Sequence, residues 1–270
     1  MAKLFRNRAF GVTAGLLSAV VLLAPGLASA QKSSRLSPKP LPADITPRVN
    51  EAQCGGVDGH FGPFDFRSAD PGERRTVEKY HFDNEYAAFL RGKTTSNTLG
   101  SSGLHVAAGF SYVLKSFPNH PTALFAMERL GRQLNSERPQ GSDFPLECWY
   151  IRAFKMTPDD PVVRAMYGIY LANRGRSAEA LSNLKIADSA LPGDANMQYN
   201  IGLTHFKLGK YELAQLNAMR AAKAGFQLNG LERMLKKGNH WNSQLQLPPP
   251  KTPTLPGAEP AAEPDEAAKQ

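Results

Sequence analysis

Apolar residues recur at three- and four-residue spacings through most of the chain from residue 83 onward, which is the period of amphipathic helices. Leu104–Ser116 carries Val106, Phe110, Val113 and Leu114 in that rhythm and reads as a helix. Asn84–Arg91 places Tyr86, Phe89 and Leu90 on one side, behind Asp83, a residue suited to cap a helix start. Between them, Gly92–Gly103 is a polar Ser/Thr/Gly stretch and reads as a loop. Arg67–His81 is polar, with one short helix expected at Arg74–Tyr80.

One punctuation mark is used three times. Phe117-Pro118-Asn119-His120, Thr157-Pro158-Asp159-Asp160 and Leu191-Pro192-Gly193-Asp194 each end one helix and begin the next. Proline cannot continue the preceding helix and pushes the residue before it out of helical geometry. Asn or Asp just beyond can cap the following helix, and Pro121 and Pro161 stand where a first helical turn tolerates proline. The interval from Pro118 to Pro158 is longer than that from Pro158 to Pro192, which puts an insertion in the first unit, at the polar stretch Asn135–Pro145.

The second interval is a true internal repeat. Gly168 is answered by Gly202, Gly175 by Gly209, Ala180 by Ala214 and Ala187 by Ala221, all at the Pro158-to-Pro192 offset. Such a period with small residues at fixed phases is the signature of stacked helix–turn–helix units. The units are 83–118, 121–160, 161–194 and 195–228, closed by a capping helix at 231–237 and all within a domain spanning 83–241. The cap is needed because the last unit's apolar face has no successor.

Outside this array the composition changes. Residues 1–30 have the form of a secretory leader: Lys3, Arg6 and Arg8, then the apolar run Ala9–Leu23, then Ala28-Ser29-Ala30 with cleavage expected after Ala30. The run is too short for a spanning helix and ends at Pro25-Gly26, so no membrane anchor is expected after cleavage. Residues 31–53 are proline-rich and read as an extended linker, 54–82 as an irregular Phe/Gly-rich segment in which Phe61, Phe64 and Phe66 dock on other elements, and 244–270 as a disordered tail. Net charge is +8; three charges leave with the leader and the tail carries −2, so the body between them holds +7. That favours an acidic partner or surface. Nucleic acid is not expected as a partner, for there is no arginine-rich run.

At Tyr167–Ala187 and Ile201–Ala221 the sequence resembles the tetratricopeptide repeat family, and the span as a whole resembles exported bacterial proteins of that family. Tyr167-Gly168 and Ile201-Gly202 stand at the family's large-then-small pair, Gly175 and Gly209 in the turn, Ala180, Ala214, Ala187 and Ala221 at helix crossings, and Pro192 at the closing proline. Arg164 and Gln198 depart from the family's usual aromatic, and Glu128 stands where a glycine is usual. The resemblance implies an all-α, right-handed solenoid of about three to four helix pairs. It also implies a concave face that binds a protein or peptide partner, here one in the periplasm or beyond. The positions carried over to that face are Phe125, Arg129, Arg132, Ile169, Asn173, Tyr199, Leu203, Phe206 and Lys207. The groove is either open to a partner or filled by the chain's own Cys54–Arg67 segment or tail.

Candidate chemistry is thin. Cys54 and Cys148 are the only cysteines; in an oxidising compartment they either form a bridge, worth ~4–5 kcal/mol for so long a loop, or remain separate thiols. His60 with Asp58 and Asp65, or His81 with Asp83 and Glu85, match no known metal-ligand spacing, and no Gly-x-Ser-x-Gly elbow occurs. No cofactor, metal or catalytic residue is therefore expected. An enzyme using the segment before the repeats and a self-associating structural subunit are the alternatives to a binding scaffold.

Overall fold

A computed structural model describes residues 32–56, 61–98 and 101–248. The expected leader and residues 249–270 of the expected tail lie outside these, as do Asp58 and His60. The described chain is all-α apart from one hairpin. Its helices are α1 (Pro71–His81), α2 (Asp83–Leu90), α3 (Val106–Ser116), α4 (Pro121–Leu134), α5 (Leu146–Met156), α6 (Pro161–Asn173), α7 (Ser177–Ala190), α8 (Ala195–Lys207), α9 (Tyr211–Lys223) and α10 (Gly230–Lys237). Among the described residues no helix is long and apolar enough to cross a membrane.

From α2 onward each helix packs on its successor, and α2, α4, α6, α8 and α10 also contact one another in that order. The sequence period is therefore visible in space. Gly175 and Gly209 both take a left-handed backbone, at φ 73° and 70°, as the turn between paired helices requires. Gly168 and Gly202 both sit where an added Cβ would lie 3.3 Å from the carbonyl oxygen of the partner alanine, Ala180 or Ala214. Ala187 and Ala221 are buried. Asp160 and Asp194 cap α6 and α8 through backbone N–H groups two or three positions on. At the first punctuation mark the cap is His120, whose ring accepts from Ala123 N–H. Asn119 has a different task. Its Oδ1 accepts from Phe66 N–H, while its amide donates to Asp65 and Asp160 and so ties two loops together.

Four expectations are corrected upstream. Gly92–Gly103 is not simply a loop: Thr95–Thr98 (β1) pairs antiparallel with Ser101–His105 (β2), with Thr95 opposite His105 and Ser96 opposite Leu104. The hairpin delays α3 to Val106, whose N–H donates to Thr94 O. Asp83 does not cap α2 but opens it, its carboxylate paired with Arg75 at 2.9 Å. The short helix expected at Arg74–Tyr80 is present but starts earlier, as α1 at Pro71, with Asp70 accepting from Gly72 and Glu73 N–H groups.

The fourth correction concerns residues 32–56, which form a docked strap and not a free linker. Ile45 is buried, and Leu41 and Val49 pack against the same core. The strap's backbone is satisfied by the helices beneath it: Lys39 N–H donates to Lys155 O, Arg48 N–H to the Glu147 carboxylate, and Thr46 O accepts from Arg176. Asp44 pairs with Arg164. The strap ends in a 3-10 turn, Glu51–Cys54, where Cys54 is bonded to Cys148 of α5, a disulfide bridging 94 positions. Arg152, one helical turn beyond Cys148, donates to the carbonyls of Cys54 and Gly56 while its guanidinium lies over Phe144. Farther on, Phe64 and Phe66 pack on Phe117, and Phe64 N–H donates to Ser116 O.

Candidate functional site

A concavity of about 780 Å3 lies across the successive first helices α2, α4, α6 and α8. Its lining follows one face of each helix. On α6 these are Val162, Met166, Ile169 and Asn173; on α8 Asn196, Asn200, Leu203 and Lys207 stand one repeat period farther along the chain, with Met197, Thr204 and the cap residue Asp194 beside them. Spacings of three and four keep such a set on one stripe. From α4 come Thr122, Phe125, Glu128 and Arg132, and from α2 comes Tyr86. Phe125 is 41% exposed, a large ring presented to solvent.

Polar groups run across the floor and join three helices. Lys207 Nζ donates to Asn173 Oδ1 at 2.7 Å, and Asn173 Nδ2 donates to Glu128 Oε1 at 3.1 Å. Glu128 also receives Arg132 at 3.0 Å and Arg174 at 3.5 Å. The Glu128 carboxylate is nearly buried and is held by these donors, so the floor is preorganised and the cations stand toward the opening. Tyr150 closes the bottom. Burial, and then the charge of Glu128, pushes its phenol well above the ordinary range, so it stays protonated at any physiological pH.

Six of the nine positions carried over from the family resemblance line this groove: Phe125, Arg132, Ile169, Asn173, Leu203 and Lys207. Three do not. Arg129 lies with its guanidinium 5.6 Å from the Phe89 ring. The groove register in α4 is displaced by one position from that of α6: Phe125, Glu128 and Arg132 answer Met166, Ile169 and Asn173, one step more than the Pro118-to-Pro158 offset. One residue is about 100° around a helix, enough to turn Arg129 off the stripe. Tyr199 and Phe206 pack at the end of the array. Tyr199 lies on Phe226 at 4.3 Å, Phe206 meets Tyr211 edge-on, and both join the cluster of Leu231 and Leu235 from α10. Their counterparts one period earlier, Ala165 and Ala172, are buried alanines. Where a thin capping helix replaces a full pair, larger side chains fill the interface.

Sequence reasoning missed Glu128, read as a departure from the repeat, although it anchors the floor; it also missed Met166, Asn196 and Asn200. The signal that finds the last three is the three- and four-residue spacing continued toward the helix starts from Ile169 and Leu203. Strap residues 32–56 and the segment from Phe61 to Arg67 do not line the groove.

The remaining candidate residues that are described are held in structural contacts. His81 stacks on Tyr112 at 3.6 Å, and burial lowers its pKa. Glu85 is buried, with Ser96 Oγ 3.4 Å from one oxygen. Burial works against ionisation of Asp65, and the hydrogen bonds from Arg67 and Asn119 outweigh it, so its carboxyl titrates below the usual range. Among the described residues no three His, Cys, Asp or Glu side chains gather as a metal site requires. Comparison of the chain with protein-family models, curated proteins and solved structures returns no match.

Proposed function

We propose that the chain is an exported, tetratricopeptide-like helical-repeat scaffold that binds a protein or peptide partner in the cell envelope and performs no catalysis. The observation that supports it is the groove across α2, α4, α6 and α8, with an exposed phenylalanine, an apolar stripe and cations above a preorganised polar floor. Such a surface suits an extended or helical segment, whose apolar side chains fill the stripe while its polar groups meet the rim. The repeat period supports the right-handed solenoid as the arrangement of the pairs. The leader-like residues 1–30, together with the disulfide, support export to an oxidising compartment.

The test replaces Phe125 and Leu203 with alanine and compares co-purified envelope proteins with those of the unaltered chain. Loss of a discrete partner, with helical content and thermal unfolding unchanged, is expected. An identical partner set from a well-folded variant would overturn the groove assignment.

A further inference from the structure

Charge in the groove is unevenly placed: Glu128 and Asp194 match Arg132 and Lys207 in number, but Asp194 caps the start of α8, at the opposite end of that helix from Lys207. Arg132 and Arg174 share the carboxylate of Glu128, and Arg174 also reaches Glu137. Exposed Lys207 donates to the neutral amide oxygen of Asn173 and has no carboxylate partner among the described residues. The end of the groove that holds Lys207 and Arg132 is thus set for an anionic group beside an apolar stripe. The chain's own sequence supplies one: Glu259, Glu263, Asp265 and Glu266 fall within eight positions, interspersed with Pro260, Pro264 and alanines.

Reach is sufficient. The last firmly anchored residue is Asn242, which exchanges hydrogen bonds with Gln215 of α9, and α9 packs on α8. The stretch from Pro248 to Glu259 spans up to ~35 Å when extended. Packed helices lie about 10 Å apart, so the segment can pass α9 and reach the α8 and α4 sides of the groove.

We propose that the acidic segment 259–266 docks in the groove of its own chain, against Lys207 and Arg132, and occupies the surface a partner must enter. This rests on the groove being a docking surface, and it adds a regulatory element: a partner binds by displacing the tail. A tethered segment experiences a millimolar effective concentration, so even weak intrinsic affinity keeps it seated.

The probe is a fluorescein-labelled synthetic peptide with the sequence of residues 255–268, followed by anisotropy. It is titrated into the full chain and into the full chain carrying E259Q, E263Q, D265N and E266Q. The intact chain should bind the probe ~10-fold more weakly than the neutralised chain, because its own tail competes. K207E or R132Q, placed separately in the neutralised chain, should each weaken the probe; both side chains are exposed, and circular dichroism checks the fold.

Equal affinity in the two chains overturns the tail as occupant and leaves the groove to acidic segments of other molecules. A difference that grows with protein concentration assigns the competition to a second copy and also overturns it. So does probe binding that is absent from the neutralised chain, or that neither K207E nor R132Q changes. None of these outcomes touches the docking reading, which is judged by partner loss in the Phe125 and Leu203 variants.

Discussion

Two glycines of one helix pair are required for different reasons. At Gly175 the backbone has φ 73° and nothing lies within 4 Å of an added Cβ. The constraint is conformational, and asparagine, which tolerates the left-handed region, should satisfy most of it. At Gly168 an added Cβ would lie 2.8 Å from Leu184 Cγ inside a packed crossing. Gly168→Ala should therefore cost about 1–3 kcal/mol by overpacking. Gly175→Asn should cost less than ~1 kcal/mol, and urea unfolding of the two variants distinguishes them. A second residue-level feature is a polar pair that recurs at equivalent positions of two successive units. Arg164 donates to Asn183, and at the equivalent positions of the next unit Asn217 donates to Gln198. Asn217 also donates to Asp188, so its oxygen is left to accept from His205 Nδ1–H, which sets the tautomer. Burial lowers the pKa of His205, opposed by the Asn217 hydrogen bond and by Asp188. The folded state then binds fewer protons there than the unfolded chain. Stability at this site is complete above the unfolded value of about 6.5 and is lost as pH falls from there through the folded value. His81 shifts in the same direction. His205→Gln, which can still donate to Asn217, should shrink the difference in urea midpoint between pH ~7.5 and ~5.5 without abolishing it.

At the scale of elements, the strap is the part that proline content concealed. Prolines at 38, 40, 42 and 47 exclude a helix, but they do not exclude docking, which depends on Ile45 and on what α5, α6 and α7 present. Arg176 and Glu147 form a buried pair beneath it, at 2.5 Å, and also bind Tyr167 and the strap backbone. The disulfide fastens the far end. Cys54→Ser with Cys148→Ser should lower stability by about 2–5 kcal/mol and accelerate hydrogen exchange in residues 32–56 well before α6–α9. Thiol titration of the denatured, unreduced protein should find almost none. Retained stability with unchanged strap protection would mean that packing alone holds it. The short α1 was legible in part, since Asp70-Pro71 repeats the Asp160-Pro161 start of α6. The hairpin was not: its Ser/Thr/Gly residues carry no alternating apolar pattern, and pairing decided it.

Over the whole molecule, the groove exists because the first helices stack in order while the strap and the Phe-rich segment are spent elsewhere. That division bears on specificity. The strap and the disulfide brace α5 and α6, so the floor is preformed, and a segment docking there would lose less entropy than on a floor that had to be ordered. Most of the groove was legible in the repeat, because a stripe on one helix recurs on the next at the same offset, as Ile169 and Leu203 or Asn173 and Lys207 do. Where the period slips, in α4, or ends, at α8 against α10, the transfer failed at Arg129, Tyr199 and Phe206.

What the sequence determined by itself was what local rules carry. Prolines and aspartates mark the helix boundaries, glycines the positive-φ turns, and small residues the close crossings, and each acts close to where it stands. Only the tertiary structure decided which stripe of α4 faces the groove, that the proline-rich strap is docked, and that Glu128 is a shared anchor and not a blemish in the repeat. Those outcomes depend on helix rotation and on contacts between side chains far apart in the chain, such as Glu128 with Asn173 or Thr46 with Arg176. A one-position slip of register turns a side chain by about 100°, and no local pattern records it.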